Sequence, residues 1–464
     1  MSYNPKIIFD SEEHGLPFED IDASLSWLLK EGEKRGYQVQ AIGFFSVDGI
    51  TRFANNQVTQ HTDLNTISYR LQISKGKKVA EASTTLLGQE GLTVLLKEAE
   101  NSLKNTPEIN FYQGLPDLKP GDIDNLSGRS WTIEERADSI IEAVNSAIEI
   151  DPNVKTAGVA SEEIGFKHIK TTNGIDYIDG STSNYFKINA ITGNPDNRGY
   201  GQEESYWRFI RSDITKMATE ATNTAKDTEK LITLNADHYE VILAPQAVSD
   251  LLIYLQVFSD AVGFHESNSY TSDKLGDQIF DSQFTLKDVP KDPKEAIFVR
   301  SFDNEGIPTK NRVFIDQGVL KFIPYNSFYA SKYLEDKNLT TGHAMNLNFS
   351  YLLSGSIEQG NKTLDQQISE MENGLYVKNF WYNRFTKRKE GGLTGLTRNG
   401  LYHVKNGEIQ GAVRNLRYTE SFVNAFGPDN IISISKERNN YQYTNCPNIH
   451  LKSYNFSSIA HTST

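Results

Sequence analysis

The chain has 464 residues, a formal net charge of −13 and one cysteine. This length predicts two or three domains, and the acidic balance disfavours direct nucleic-acid binding, which needs clustered Lys and Arg. The single cysteine, Cys446, excludes an internal disulfide and is typical of a reducing compartment. No apolar run approaches the ~18 residues of a membrane span, and the N-terminus lacks a signal-peptide pattern. The sequence therefore predicts a soluble, cytoplasmic protein without a membrane partner.

Residues 17–81 predict one amphipathic helix followed by strands. Apolar residues at helical spacing place the helix over residues 17–35. Residues 38–48, 49–60 and 66–81 predict β-strands, with Lys75-Gly76 as a turn.

Two further helices follow, separated by a long connection at residues 108–130. The first is predicted over residues 89–105. The second opens with a capping box of Thr132 and Glu135. Its predicted buried stripe consists of Ile140, Ile141, Val144, Ala147 and Ile148.

Residues 154–209 alternate apolar and polar side chains, which predicts strands turning at Asn173-Gly174 and Asp179-Gly180. A helix over residues 214–231 closes this half. The pattern predicts an N-terminal α+β domain, residues 1–234, in which helices cover antiparallel sheets.

The remaining residues, 235–464, predict a β-rich second domain. Residues 238–244 read as a strand, and Pro245 begins a helix, a position that proline tolerates. The Asn-Gly pairs at Asn399-Gly400 and Asn406-Gly407 predict tight type I′ hairpin turns.

Few residues predict chemistry. His265-Glu266 is the only His-Glu pair, and Ser269 and Tyr270 stand where a zinc site would need its second histidine. No two of the nine histidines are four residues apart, and His343 is expected in a polar loop. No Gly-rich phosphate loop is present, and no catalytic signature flanks Cys446. Composition and spacing alone predict a two-domain α+β protein.

Several segments, in order along nearly the whole chain, resemble the TldD/PmbA family of metallopeptidase-related proteins. The segment FDNEGIPTKNRVFIDQGVL, residues 302–320, strongly resembles the family's Asp-x-Glu-Gly-x-Pro-Thr element and following hairpin. The other similar segments are residues 75–85 (KGKKVAEASTT), 106–107 (TP), 114–117 (GLPD), 239–252 (YEVILAPQAVSDLL), 269–279 (SYTSDKLGDQI), 374–382 (GLYVKNFWY) and 393–421.

The resemblance implies an N-terminal α+β domain and a C-terminal domain of curved antiparallel β-sheets, paired as a dimer around an enclosed cavity. It also implies two kinds of subunit. TldD-type subunits carry a zinc-binding His-Glu-x-x-x-His helix, whereas TldE/PmbA-type subunits lack it. The corresponding residues here, 246–260 (QAVSDLLIYLQVFSD), contain neither histidine nor glutamate. No catalytic or metal-binding residue is therefore transferred to this chain.

The resulting expectation is a non-catalytic subunit of a TldD/TldE-type cytoplasmic metallopeptidase complex, with zinc bound by a TldD-type partner. Unfolded peptide is the expected substrate, added as a strand to an exposed edge. The partner is a TldD-type subunit or a second copy of the chain. Candidate cavity or peptide contacts are His265, Glu266, His343, Arg398 and Asn399.

Two alternatives remain open from the sequence. In one, the chain is itself an active zinc peptidase that uses His265 and Glu266. In the other, it is a stand-alone binding or scaffold protein without peptidase activity.

Overall fold

The structure is a computed structural model that describes residues 18–117, 129–292, 294–296, 299–441 and 444–460. The predicted connection at 108–130 lies partly outside the described residues. The elements of the first half are α1 (Phe18–Lys34), β1 (Gln38–Ala54), β2 (Gln57–Lys75), β3 (Lys78–Thr84), α2 (Gly88–Asn105), α3 (Ile133–Ile150), β4 (Lys155–Thr171), β5 (Asp176–Asn194), β6 (Asn197–Trp207) and α4 (Ile214–Asp227).

The second half contains short helices and strands before four long strands at its end. Its elements are β7 (His238–Leu243), α5 (Pro245–Val257), α6 (Ala261–His265), β8 (Leu286–Asp288), β9 (Arg312–Asp316), β10 (Val319–Leu320), α7 (Ser327–Tyr333), β11 (Ala344–Asn346), β12 (Phe349–Ser350), β13 (Gly355–Ile357), α8 (Leu364–Glu370), β14 (Asn373–Lys387), β15 (Gly392–Lys405), β16 (Glu408–Ala412), β17 (Leu416–Ser421), α9 (Phe422–Ala425), β18 (Ile431–Tyr441) and β19 (Thr444–Ile459). Within the described ranges, no helix is long and apolar enough to span a membrane.

The first sheet is antiparallel throughout and has the strand order β3-β2-β1-β4-β5-β6. Helices α1 and α2 bury their apolar faces against one end of this sheet, and α3 and α4 bury theirs against the other. Apolar burial at about 25 cal/mol per Å² makes these two clusters the main stabilising contacts of this half. The predicted α+β class, with helices covering antiparallel strands, is confirmed.

The second sheet is curved and mostly antiparallel, as predicted, and surrounds a single large apolar cluster. It also contains two parallel pairings, β14 with β7 and β13 with β19. Helix α5 packs on this sheet and begins with Pro245 in its first turn, as the sequence predicted. The boundary at residues 234/235 stays a prediction.

Two details of the first half differ from the sequence prediction. Gly49 lies inside β1 rather than between two strands. The chain turns instead at Asn55 and Asn56, whose φ angles of 48° and 65° are left-handed, a conformation that asparagine tolerates. In α3 the capping box forms, but Ile141 and Ile148 point outward and are 54 % and 36 % exposed. Arg136, by contrast, is buried on the inward face of that helix.

Two predicted turns lie within strands. Asp179-Gly180 lies in β5, where the Asp179 carboxylate accepts hydrogen bonds from Ser301 instead of shaping a turn. Asn399-Gly400 forms an irregularity inside β15, where the register against β14 shifts. Both residues keep the positive φ that the Asn-Gly signal predicts, but the strand continues past them as it does at a β-bulge. Asn406-Gly407 does form the β15–β16 turn.

The two halves meet at a turn formed by residues 303–306, called here the DNEG turn. The Asp303 carboxylate accepts backbone hydrogen bonds from Glu305 at 2.9 Å, Ile307 at 3.0 Å and Ala344 at 2.9 Å. Gly306 has φ +77°, and a Cβ there would lie 2.8 Å from Ile175. The turn therefore requires glycine and packs directly against the first sheet.

Glu305 joins the DNEG turn to the start of α7. Its carboxylate accepts bonds from the Ser327 amide, at 2.9 Å from Oε2, and from the Ser327 hydroxyl at 2.7 Å. Burial, together with the nearby charge of Asp303, raises the pKa of Glu305 to about 8. Burial also raises the pKa of Asp303.

We expect Arg136→Ala to lower the free energy of unfolding by about 3–5 kcal/mol, because it leaves a buried carboxylate without its cation. Arg136 is 1 % exposed, and its Nη1 lies 3.2 Å from Glu162, whose side chain is 7 % exposed. Chemical denaturation measures the change. The matched control is Arg211→Ala, whose partner Glu142 is exposed; it should cost no more than about 1 kcal/mol. Equal losses would contradict the expectation.

We also expect Glu305 to make stability fall as pH rises. In the folded protein the Glu305 side chain keeps its proton up to about pH 8. In the unfolded chain it loses that proton near the ordinary glutamate pKa of about 4.3. The free energy of unfolding therefore declines between these pH values. In Glu305→Gln the decline should be smaller, as measured by denaturation at several pH values across this interval. Glu98→Gln, at an exposed site on α2, is the control and should keep the wild-type slope.

Candidate functional site

A cavity of about 610 Å³ lies between the first sheet and the DNEG turn. We call it the junction cavity, because both halves of the chain build its walls. Strands β1, β2, β4 and β5 supply one wall through side chains that alternate away from the helices. Residues 299–304 and the region of β11 and β12 supply the other wall.

Lys167, on β4, fastens the two walls together. Its Nζ donates to the carbonyl oxygens of Phe302 at 2.8 Å and Asp303 at 3.3 Å, and to Asn304 Oδ1 at 3.1 Å. The ammonium also lies 4.3 Å from the centre of the Phe302 ring. Burial, with the nearby Arg300 charge, lowers the pKa of Lys167 to about 7. The three acceptors use all the donors of this ammonium group, so its role at the junction is to position the turn.

Asp179 makes the second link across the cavity. Its Oδ2 accepts from the Ser301 amide at 2.6 Å, and its Oδ1 accepts from the Ser301 hydroxyl at 3.2 Å. Burial raises the pKa of Asp179. The carboxylate thus holds the segment that leads into the DNEG turn.

Two arginines of the cavity have different contacts. Arg70 Nη1 donates to the Met345 carbonyl at 2.7 Å, and Arg300 Nη1 contacts the Met345 sulfur at 3.1 Å. The two guanidinium groups therefore approach one residue from opposite walls. Among the residues that the structure describes, no carboxylate lies within ion-pair distance of either arginine.

The candidates His265 and Glu266 lie at the end of α6, in a cluster of tyrosines. His265 Nε2 is 2.7 Å from the Tyr325 hydroxyl, and its ring stacks on Tyr333 with 4.1 Å between centres. Partial burial and the Lys332 charge lower the pKa of His265. Glu266 accepts from Lys332 at 3.0 Å and Tyr333 at 2.9 Å. These contacts fit a polar helix end.

His343 is buried rather than in a solvated loop. Its Nε2 lies 2.9 Å from Asp288, which is fully buried, and its Nδ1 lies 2.8 Å from the Thr341 hydroxyl. Thr341 in turn accepts from the Tyr325 amide at 2.8 Å. Tyr325 thus connects His343 with His265 through a chain of contacts.

Arg398 and Asn399 lie elsewhere, on β15. Arg398 stacks over the Trp381 ring at 4.1 Å, and Asn399 Nδ2 donates to Gln202 at 3.2 Å. The five predicted contacts thus divide between the Tyr325 region and β15, and none of them lines the junction cavity. Their role in peptide binding stays a prediction.

The residues of α5 do not fit a zinc site. Leu251, Leu252 and Leu255 are at most 1 % exposed and belong to the main apolar cluster. The helix has one acidic side chain, Asp250, which accepts from the Phe380 amide at 2.8 Å. Burial raises the pKa of Asp250 well above its ordinary value. A catalytic zinc needs three protein ligands, usually including histidine, and α5 provides no histidine.

One group of potential metal ligands occurs among the described residues, formed by Asp22, His168 and Asp176. Lys170 lies between the two carboxylates, with Nζ 2.9 Å from Asp22 and 3.0 Å from Asp176. The lysine ammonium therefore already forms ion pairs with both carboxylates of this group. Cys446 is buried, and burial raises its pKa to about 12, so its thiol is not a ready ligand.

Sequence reasoning missed the charged residues of the junction cavity. The DNEG turn did stand out, because it is part of the segment that resembles the family element. Arg70, Lys167 and Asp179 lie on three different strands. The only local sequence signal at each position is the alternation of apolar and polar residues along its strand. Their convergence depends on the strand register, which a single sequence does not specify.

Two family models match this chain. The PmbA/TldA metallopeptidase C-terminal domain matches residues 236–458, and the central domain of the same family matches residues 127–229. A metalloprotease of Methanocaldococcus jannaschii is 24 % identical over 73 % of this chain and 71 % of its own length. An uncharacterised protein of the same organism is 23 % identical over 69 % of this chain and 74 % of its own.

Solved structures show the same fold. A candidate modulator of a DNA gyrase from Thermotoga maritima superposes with a TM-score of 0.82 at 20 % identity, covering 94 % of this chain and 100 % of its own. TldE from Thermococcus kodakarensis gives 0.82 at 17 % identity with the same coverage. Two domain models in the expected order, together with the shared fold, establish the family. The chain belongs to the TldD/PmbA family of metallopeptidase-related proteins.

Proposed function

We propose that this chain is a non-catalytic subunit of a TldD/TldE-type metallopeptidase complex and pairs with a TldD-type catalytic subunit. The observation that carries the proposal is the composition and burial of α5. This helix corresponds to the one that, by family resemblance, carries His-Glu-x-x-x-His in catalytic subunits. Its inward positions are leucines of the apolar core, so it offers neither zinc ligands nor a general base.

The proposed role is to shape a chamber for unfolded peptide. Beyond the junction cavity, the same face of the first sheet continues with Ile50, Ser161 and Tyr185 side by side. These side chains are partly exposed. Within the described ranges, β3 pairs with β2 only from Tyr69 onward, so in this part of the chain the β2 edge before that point is available for strand addition. Backbone pairing of this kind binds peptide with little side-chain selection.

A hairpin formed by β14 and β15 supports pairing with another subunit. Trp381, Tyr382 and Phe385 are 47 %, 59 % and 60 % exposed. Arg398 and Arg384 lie over the rings of Trp381 and Tyr382, 4.1 Å and 4.3 Å from their centres. Exposed aromatic side chains combined with arginine are typical of protein interfaces. The surface suits the partner subunit, and the single buried cysteine supports a cytoplasmic location for the complex.

We expect the purified chain alone to bind zinc substoichiometrically and to leave an unfolded polypeptide intact. Added to a TldD-type partner from the same organism, it should form a complex that contains zinc and cleaves the polypeptide. Metal analysis and a cleavage assay on each sample test this. His265→Ala should change neither readout in the complex.

Stoichiometric zinc in the isolated chain that is lost in His265→Ala would show instead that the chain is itself a zinc peptidase. If no complex forms and the partner is equally active alone, the stand-alone binding role would be favoured. Both outcomes overturn the proposed subunit function.

We expect Phe385→Ser to weaken association with the partner by roughly 30-fold, the loss of about 2 kcal/mol that defines an interface hot spot. Analytical ultracentrifugation of the mixed subunits measures the change. The matched control is Ile141→Ser, which removes a similarly exposed apolar side chain, 54 % exposed, from α3. Equal effects of the two substitutions, or no effect of Phe385→Ser, would rule out the hairpin as the docking surface.

A further inference from the structure

Arg70 and Arg300 are cationic groups of the junction cavity that the fold uses only in part; Arg70 also lies 5.5 Å from the centre of the Phe44 ring. Lys167 has three acceptors and Asp179 is bonded to Ser301. By contrast, among the described residues, the hydrogen bonds of the two guanidinium groups go only to Met345. Arg70 donates to its carbonyl oxygen, and Arg300 donates to its sulfur. A guanidinium group has five donor hydrogens, so most donors of both groups remain available to a ligand.

The remainder of the lining suits a small ligand with a polar end and an apolar body. Ser46, Thr66 and Ser68 place hydroxyl groups on the sheet wall. Phe349 and Tyr351, with ring centres 5.2 Å apart, provide an aromatic surface on the opposite wall. A volume of about 610 Å³ lies in the range of small-molecule pockets.

Charge in the cavity favours a monoanion. Three cationic side chains, Arg70, Lys167 and Arg300, and two acidic ones, Glu163 and Asp179, line the walls. Since burial lowers the pKa of Lys167 to about 7, Arg70 and Arg300 carry the positive charge that persists above neutral pH, and the acidic side chains offset part of it. The small remaining positive charge matches a carboxylate better than a phosphate dianion. Arginine also suits carboxylates because its planar donors bind both oxygens together.

We propose that the junction cavity is a carboxylate-binding site in which Arg70 and Arg300 hold the C-terminal carboxylate of a short peptide. The carboxylate itself is inferred from the two arginines. The peptide as its source rests on the proposed function, since peptides are what the complex would release or admit. A free small carboxylic acid is the other source of the same chemistry.

Binding of trialanine to the full chain tests the site, with trialanine amide, propionate and inorganic phosphate as comparison ligands. Isothermal titration in a chelator keeps cleavage out of the measurement. We expect the amide to bind roughly 10- to 100-fold more weakly than the acid, the range for losing a hydrogen bond to a charged group. Phosphate should bind more weakly than trialanine.

Arg300→Gln and Arg70→Gln should each remove most of the difference between acid and amide. Arg300→Lys, which keeps the charge, should retain part of it. Arg52→Gln changes an exposed arginine on β1 outside the cavity and is the control. Thermal unfolding of each variant shows whether it folds, and the two arginines offer independent substitutions if one does not.

The outcomes separate the alternatives. Equal binding of acid and amide, preference for phosphate, or full discrimination in both glutamine variants would overturn the site. Equal binding of propionate and trialanine would keep the carboxylate site and reject a peptide as its source. None of these readouts depends on zinc or on the partner, so a failure of the proposed subunit function is detected separately.

Discussion

The burial of two carboxylates in the DNEG turn is the constraint on which the junction between the halves depends. An ionised carboxylate removed from water costs several kcal/mol unless hydrogen bonds or a cation replace its hydration. Asp303 meets this requirement with three backbone amides. Glu305 has a pKa raised to about 8, so it stays protonated at neutral pH and accepts hydrogen bonds from the amide and hydroxyl of Ser327. These bonds close the turn on itself and tie it to Ala344 and Ser327 elsewhere in the second half. The turn therefore has one geometry, and it presents its backbone carbonyls to the first sheet.

The junction cavity follows from that geometry. Lys167 binds the carbonyl groups of the turn, and Asp179 binds the residue that precedes it. The two halves are thus joined largely through polar contacts to backbone atoms. Because these contacts use few side chains, neighbouring side chains can line the junction cavity. Arg70 and Arg300 face that space from opposite halves, so the Arg70 bond to Met345, and with it the approach of the two arginines, exists only when the halves are docked. A ligand held by both arginines would stabilise the junction through binding to the native state.

Sequence reasoning predicted what depends on neighbouring residues and missed what depends on distant ones. The Thr132 capping box and the proline at the start of α5 are local signals, and the structure contains both. The turns at Asp179-Gly180 and Asn399-Gly400 were wrong because each pair lies in a strand whose partners, from elsewhere in the chain, continue past it. In both cases long-range pairing outweighed a local turn preference. The cavity arginines were missed for the same reason.

The packing of α5 explains why the absence of the zinc motif is more than a missing pair of histidines. Leu251, Leu252 and Leu255 contribute to the largest apolar cluster of the chain. Placing histidine and glutamate at those positions would bury polar groups at roughly 1–3 kcal/mol each without partners. It would also remove the apolar contacts that the leucines make. The helix has therefore become part of the core, and a metal site there would require the surrounding sheet to change as well. Such a helix is what the proposed non-catalytic role requires.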